Sequence, residues 1–213
     1  MPRYELAVNP VLSYPGAGGM AGLSVSLSVL NSMNDLTLYS IGHSNLAIET
    51  FIDLLTQQQI KVLIDVRSKP GSNRFPQFDQ DTLPASLEAA GIIYRWAGPQ
   101  LGGKRPAHPQ SIHIQLAESR RPFADYMQTG EFERAALQLV NLACKSPAAI
   151  MCAEGDPMYC HRSLIADYLV SQGVKVLHIL KETIKEHQLS PYARWESLQL
   201  VYDRHVTDEL DLR

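Results

Sequence analysis

The sequence is poor in cysteine: Cys144, Cys152 and Cys160 are the three in 213 residues, and no two form a Cys-x-x-Cys pair. An odd count without framework spacing excludes a small disulfide-stapled secreted domain, and the missing pair excludes a zinc finger. Reduced thiols in a cytoplasmic protein are expected instead. Long apolar runs are lacking too. The stretch 21–30 is mildly apolar, but it falls short of the ~18 residues that span a bilayer and has no Lys/Arg-rich flank, so no membrane partner is expected. Charged residues make up 19% of the chain, below the ~25% norm, while 45% hydrophobic content supports a core and excludes wholesale disorder. At a net charge of −3 no global positive field draws the chain to nucleic acid.

The charge that is present is unevenly spread. Between Arg67 and Arg121 lie eight cations (Arg67, Lys69, Arg74, Arg95, Lys104, Arg105, Arg120 and Arg121) against Asp79, Asp81, Glu88 and Glu118. Compensating acid gathers near the C-terminus, at Asp203, Asp208, Glu209 and Asp211.

Residues 1–35 carry Pro2, Pro10, Pro15, Gly16, Gly18, Gly19 and Gly22, and are expected to form a flexible extension remote from function. Regular patterning starts at Leu36. Strands are expected at 36–41, 61–66, 92–96, 148–151 and 175–180; the continuous Val62-Leu63-Ile64 run marks a strand buried on both faces. Between them, Ile48, Phe51, Ile52, Leu54 and Leu55 share one helical face, with Ser44 or Asn45 as cap. Further helices are expected near 82–90, 123–127, 132–143 and 163–170. Alternating strands and helices predict a single α/β domain over 36–182, a three-layer Rossmann-like sandwich with a mostly parallel five-stranded sheet. Residues 183–213 read as a partly helical tail carrying Trp195 and Tyr202.

Six separated segments, 39–45 (Tyr-Ser-Ile-Gly-His-Ser-Asn), 64–67 (Ile-Asp-Val-Arg), 76–78 (Pro-Gln-Phe), 101–103 (Leu-Gly-Gly), 151–154 (Met-Cys-Ala-Glu) and 160–166 (Cys-His-Arg-Ser-Leu-Ile-Ala), taken in order, resemble the domain of unknown function 488 family. The resemblance covers about residues 36–182 and implies a compact bacterial α/β domain with no settled activity. A weaker likeness is to rhodanese and cysteine-phosphatase loops, in which a strand delivers a cysteine into an anion-binding loop closed by an arginine. Here Arg162 lies ten positions after Cys152, where those families place it six after.

Chemistry concentrates at the crossover from 151 to 162. Cys152 is the candidate nucleophile, with Glu154, His161 or His43 as acid/base groups. The bland alternative for Cys152 is a small buried hydrophobe. Arg67 and Arg162, at a strand end and a helix start, are candidates for a bidentate anion clamp, and Lys104 and Arg105 after Gly102-Gly103 are candidates for further phosphate contacts. No cofactor is indicated and no metal is assigned; if a metal is bound, Cys152, Cys160 and His161 would hold it. The function expected is a cytosolic enzyme acting on a small anionic, phosphate-bearing or nucleotide-like substrate. The alternatives are a non-catalytic ligand- or nucleic-acid-binding domain, with Phe75, Phe78, Tyr94 and Trp96 as stacking groups, or a Cys/His metal-binding protein.

Overall fold

The computed structural model describes residues 36–71, 74–197 and 199–205. The proposed extension 1–35 and the acids Asp208, Glu209 and Asp211 lie outside them. In chain order the elements are β1 (Thr37–Gly42), α1 (Ile48–Gln57), β2 (Val62–Asp65), α2 (Leu83–Ala89), β3 (Ile93–Trp96), the short α3 (Gly98–Leu101), α4 (Arg121–Tyr126), α5 (Gly130–Ala143), β4 (Ala148–Cys152), α6 (Arg162–Ser171), β5 (Lys175–Ile179), β6 (Ile184–Glu186), β7 (Ala193–Glu196) and β8 (Gln199–Tyr202). Strands β1 to β6 form one sheet in the order β3-β2-β4-β1-β5-β6, and β7 and β8 pair separately.

The five expected strands are present and mutually parallel, while β6 adds an antiparallel edge beside β5. The order is not that of a Rossmann sheet, where the first and second strands are neighbours. Here β4 lies between them, in register with β1 (Gly42 beside Cys152) and with β2 (Asp65 beside Met151). Alternation along β4 explains why it takes the centre. Ala148, Ile150 and Cys152 face the core under α4, α5 and α6, and Ala149 and Met151 face that under α1 and α2. All five are buried. The small Ala148 and Ala149 let helices approach from both sides.

Helix α1 begins at Ile48 with Ala47 before it, and no side chain caps it, contrary to the Ser44/Asn45 expectation. Its apolar face drives it instead: Phe51 and Leu55 are fully buried. Among the described residues, no helix is long and apolar enough to cross a membrane.

The tail read as partly helical is extended among its described residues. Strands β7 and β8 form a hairpin with Glu196 opposite Gln199. The turn uses Ser197 at φ 49° rather than the Asn-Gly or Asp-Gly that announces a hairpin, so no turn motif marks it. Far from being an appendage, the hairpin closes the core: Ala193, Leu200 and Tyr202 join the cluster around α6. Asp167 on α6 ties it down. Its carboxylate accepts from Tyr202 Oη (3.0 Å), His187 Nε2 (2.9 Å) and the Ser190 N–H (2.8 Å). His187 Nδ1 in turn receives the N–H of His178 Nε2 on β5 at 2.9 Å.

Asp167→Ala would leave two buried donors, His187 Nε2 and Tyr202 Oη, and the half-buried Ser190 N–H without an acceptor, each buried one costing about 1–3 kcal/mol. Urea unfolding should show a loss of about 3–5 kcal/mol for Asp167→Ala and about 1 kcal/mol for Tyr202→Phe. A loss under about 1 kcal/mol for Asp167→Ala would mean that the hairpin does not stabilise the domain.

Candidate functional site

Because β1, β2 and β4 are parallel neighbours, their C-terminal ends open on one edge of the sheet. A cavity of about 970 Å³ lies there. The structure brings His43, Arg67, Lys104, Cys152, Glu154 and His161 around it, and adds Cys160 to the same wall. Arg162 and Arg105 do not line it.

Cys152 ends β4 and Cys160 precedes α6; both are buried, and their sulfurs lie 3.0 Å apart in a shared hydrogen bond. His161 Nδ1 is 3.5 Å from Cys160 Sγ, while Nε2 is 3.0 Å from the Val66 carbonyl at the end of β2. A carbonyl only accepts, so Nε2 carries the ring proton and Nδ1 presents a lone pair toward the sulfurs. Phe123 packs edge-on against the ring at 5.1 Å. Gly103 is small by necessity, since a Cβ there would sit 2.7 Å from His161 Nδ1. The ligating atoms of Cys152, Cys160 and His161 all lie within 4.8 Å of one another, a three-donor set able to hold a transition metal.

The two thiols are driven apart in acidity. The hydrogen bond to Cys160, together with burial, pushes Cys152 up to about 12. The same contact, aided by the charge and backbone N–H of Arg162, draws Cys160 down to about 6 against the effect of its burial. The more acidic thiol is thus Cys160, eight residues beyond the cysteine expected from the strand end. The signal that marked it was its place before the helix: the Arg162 N–H points at its sulfur at 3.5 Å. The helix start therefore polarises a thiol, and its next N–H groups close its own first turn on Cys160 and His161 carbonyls.

Arg67 is held rigidly. Its guanidinium forks onto Asp65, with Nε at 2.9 Å from Oδ1 and Nη2 at 2.6 Å from Oδ2, and Nη2 also donates to the Phe78 carbonyl at 2.7 Å. Tyr94 Oη completes Asp65 at 2.8 Å. Nη1 reaches His43 Nε2 at 3.3 Å. The His43 ring stacks on Phe78 with centroids 4.3 Å apart, and its Nδ1 donates to the Ser44 carbonyl at 3.0 Å. Burial, then the Arg67 charge, holds His43 down at about 4. His43 is thereby a neutral acceptor for Arg67 rather than a free base, and Asp65 neutralises the cation expected to clamp a substrate.

Arg162 is placed otherwise than the helix start suggested. It is 1% exposed and turns into the fold, donating through Nη1 to Ser40 Oγ on β1 at 2.8 Å and through Nη2 to the carbonyls of Glu154 and Gly155. It therefore fastens the 153–161 loop to β1 and does not line the cavity, its Nε being buried without a hydrogen-bond partner. Gly42 leaves the room, since a Cβ there would collide with the Glu154 carbonyl. The arginine of a phosphatase-type loop would face the anion, so this geometry departs from that likeness. Glu154 contributes an exposed side chain to the rim. Arg105 stacks over Tyr126 at 3.6 Å and donates to the Gly102 and Pro99 carbonyls, which removes it from the site. Lys104 is exposed and lines the cavity, its backbone N–H being taken by Ser68 Oγ at 3.0 Å. The lining also includes Lys69, Arg74, Arg120 and Tyr159, which no motif marked. The cation excess between 67 and 121 was the only trace of the three cations, and Tyr159 lies within the 151–162 crossover without having been singled out.

Two consequences are measurable. Arg162→Lys keeps the charge but cannot span Ser40 and two carbonyls, so chemical denaturation should show a loss of about 2–4 kcal/mol; an unchanged midpoint would mean that the loop is held by other contacts. His43, depressed in the fold, contributes its full stability above about pH 6.5 and loses it as the pH falls toward 4, because the unfolded chain binds the proton first. The melting temperature should therefore fall over that window, and His43→Gln should flatten part of the fall. Identical acid profiles would show that His43 titrates normally.

No curated protein and no solved structure matches the chain. One family does, described as Domain of unknown function DUF488, over residues 47–169. That span runs from just before α1 into α6 and includes Arg67, Lys104, Cys152, Cys160, His161 and Arg162. On that match the chain belongs to the family of domain of unknown function 488.

Proposed function

We propose that the protein is an enzyme acting on a small anionic, phosphate-bearing substrate, with the Cys152–Cys160–His161 centre supplying the reactive group. The observation that carries this reading is the charge of the cavity above that centre. Arg67, Lys69, Arg74, Lys104 and Arg120 line it, against Glu154 as the one carboxylate among the described lining residues. Arg67 is spent on Asp65. Among the described residues no ion pair occupies Lys69, Arg74, Lys104 or Arg120; Arg120 donates to the Met158 carbonyl and Ser163 Oγ and Arg74 lies over the Phe75 ring, so the exposed Lys69 and Lys104 are the cations best placed to meet an anion entering the cavity. A chain of net charge −3 that assembles such a patch has spent it on one concave place, where low-dielectric walls strengthen the field.

A small ligand is favoured over a nucleic-acid strand by the fate of the aromatics. Phe78 is fully buried against His43, Tyr94 is bonded to Asp65, and Trp96 Nε1 donates to the Arg67 carbonyl at 3.0 Å. These rings serve the fold rather than forming a row of stacking platforms. Phe75, the fourth expected stacking group, is half-buried at the cavity with its ring edge-on to His43, and Tyr159, 81% exposed, is an aromatic on the rim able to lie against a bound molecule.

Calorimetric titration with inorganic pyrophosphate tests the reading. Binding should be saturable, and Lys69→Ala and Lys104→Ala should each weaken it about 3- to 30-fold, roughly 0.7–2 kcal/mol, without moving the melting temperature. Turnover of a phosphate-bearing compound should disappear in Cys160→Ser and persist in Cys144→Ser. Absence of pyrophosphate binding, or turnover indifferent to Cys160, would overturn it.

A further inference from the structure

We propose that Cys152 Sγ, Cys160 Sγ and His161 Nδ1 form a binding site for a divalent transition metal of the zinc class, with the fourth coordination position open to the cavity. The donor set fits in four respects. All three ligating atoms lie within 4.8 Å of one another. Thiolate and imidazole are the ligand types that favour zinc over magnesium or calcium. The imidazole is already in the required tautomer: Nε2 donates to the Val66 carbonyl at 3.0 Å, the outer contact that fixes a metal-bound histidine, and Nδ1 faces the sulfurs. Finally, the 3.5 Å between Cys160 Sγ and His161 Nδ1 is close to what a tetrahedral metal subtends with bonds of about 2.3 and 2.0 Å. The two sulfurs, at 3.0 Å, must open by about 0.8 Å to reach the tetrahedral separation, a small rotation about their side-chain bonds.

Three protein ligands with a vacant fourth position are the arrangement of a catalytic rather than a structural zinc site. Among the described residues the cluster has these three members and no fourth, and all three line the cavity. The metal enters as a dication while the thiol protons leave, so the occupied Cys₂His site is neutral overall. The open position takes water or an oxygen of the anion, and Gly103 and Phe123 wall the imidazole from the side. The inference rests on the proposed enzymatic reading only for what occupies the fourth position; metal binding itself is independent of it.

The test uses the full chain, reduced and stripped with a chelator, then titrated with Co²⁺. Binding should saturate at one ion per chain, with the ligand-field bands of tetrahedral cobalt and a thiolate charge-transfer band. Cys152→Ser and Cys160→Ser should each weaken the charge-transfer band, and His161→Gln should lower affinity at least tenfold. Cys144→Ser should change nothing. Should the cysteine variants fail to fold, X-ray absorption on the zinc-loaded wild type decides the matter, with two sulfurs at about 2.3 Å and one imidazole nitrogen at about 2.0 Å expected. A six-coordinate oxygen shell, a spectrum unchanged in the cysteine variants, or recovery of a Cys152–Cys160 disulfide that takes up no metal after reduction would overturn the proposal. Pyrophosphate binding by the stripped protein separates the two readings: binding without metal uptake removes the metal alone, and metal uptake without pyrophosphate binding removes the anionic substrate alone.

Discussion

The buried guanidinium of Arg162 connects what would otherwise be independent parts. It lies at the first position of α6, within reach of Ser40 in the middle of β1 and of the Glu154 and Gly155 carbonyls after β4. A charge this deep is expensive unless it is hydrogen-bonded; Nε has no partner, but the two terminal nitrogens are paired, and pairing Nη2 requires the 153–161 loop to fold back across the sheet edge. That path sets Cys160 against Cys152 and turns His161 toward the end of β2. Packing of β4 delivers only the first cysteine; the rest of the centre is delivered by the arginine.

A second buried pair plays a similar part on the opposite side of β4. Asp65, fully buried at the end of β2, accepts from Arg67 and Tyr94, and Arg67 holds His43 and the Phe78 carbonyl. Polar groups at three strand ends are thus paired with one another before any ligand arrives. The exposed cationic side chains, Lys69 and Lys104, sit outside these pairs at the cavity. The division is physically sensible. Rigid, hydrogen-bonded groups build the floor, and solvated cations with little to lose by turning toward an anion surround it.

The parallel strands were legible because apolar runs bounded by Gly, Pro and polar residues have few other uses, and their shared C-terminal edge followed from alternation with helices. The position of β4 between β1 and β2 was not legible, since it depends on a long segment, 97–147, that carries the chain back across the sheet. The hairpin at 193–202 was missed because Ser197 supplies its left-handed turn and because its burial depends on Asp167, twenty-six residues before the first of its strands. At the site, the cysteines, His161, His43, Arg67 and Lys104 were visible as residue types at strand ends and loops. What could not be read was which guanidinium faces inward. Arg67 and Arg162 look alike in sequence, and only the location of Asp65 and Ser40 shows that both are committed to the fold. Lys69, Arg74 and Arg120 carry no motif and reach the cavity through tertiary placement alone.

An anion held in this cavity should lie over the paired thiols and shield them, which a labelling footprint reads directly. Wild-type protein, reduced, is treated with a neutral alkylating reagent with and without inorganic pyrophosphate, and each cysteine is followed by mass spectrometry. Pyrophosphate should slow labelling of Cys152 and Cys160 severalfold and leave the exposed Cys144 unaffected. Equal labelling of all three cysteines with and without pyrophosphate would contradict it.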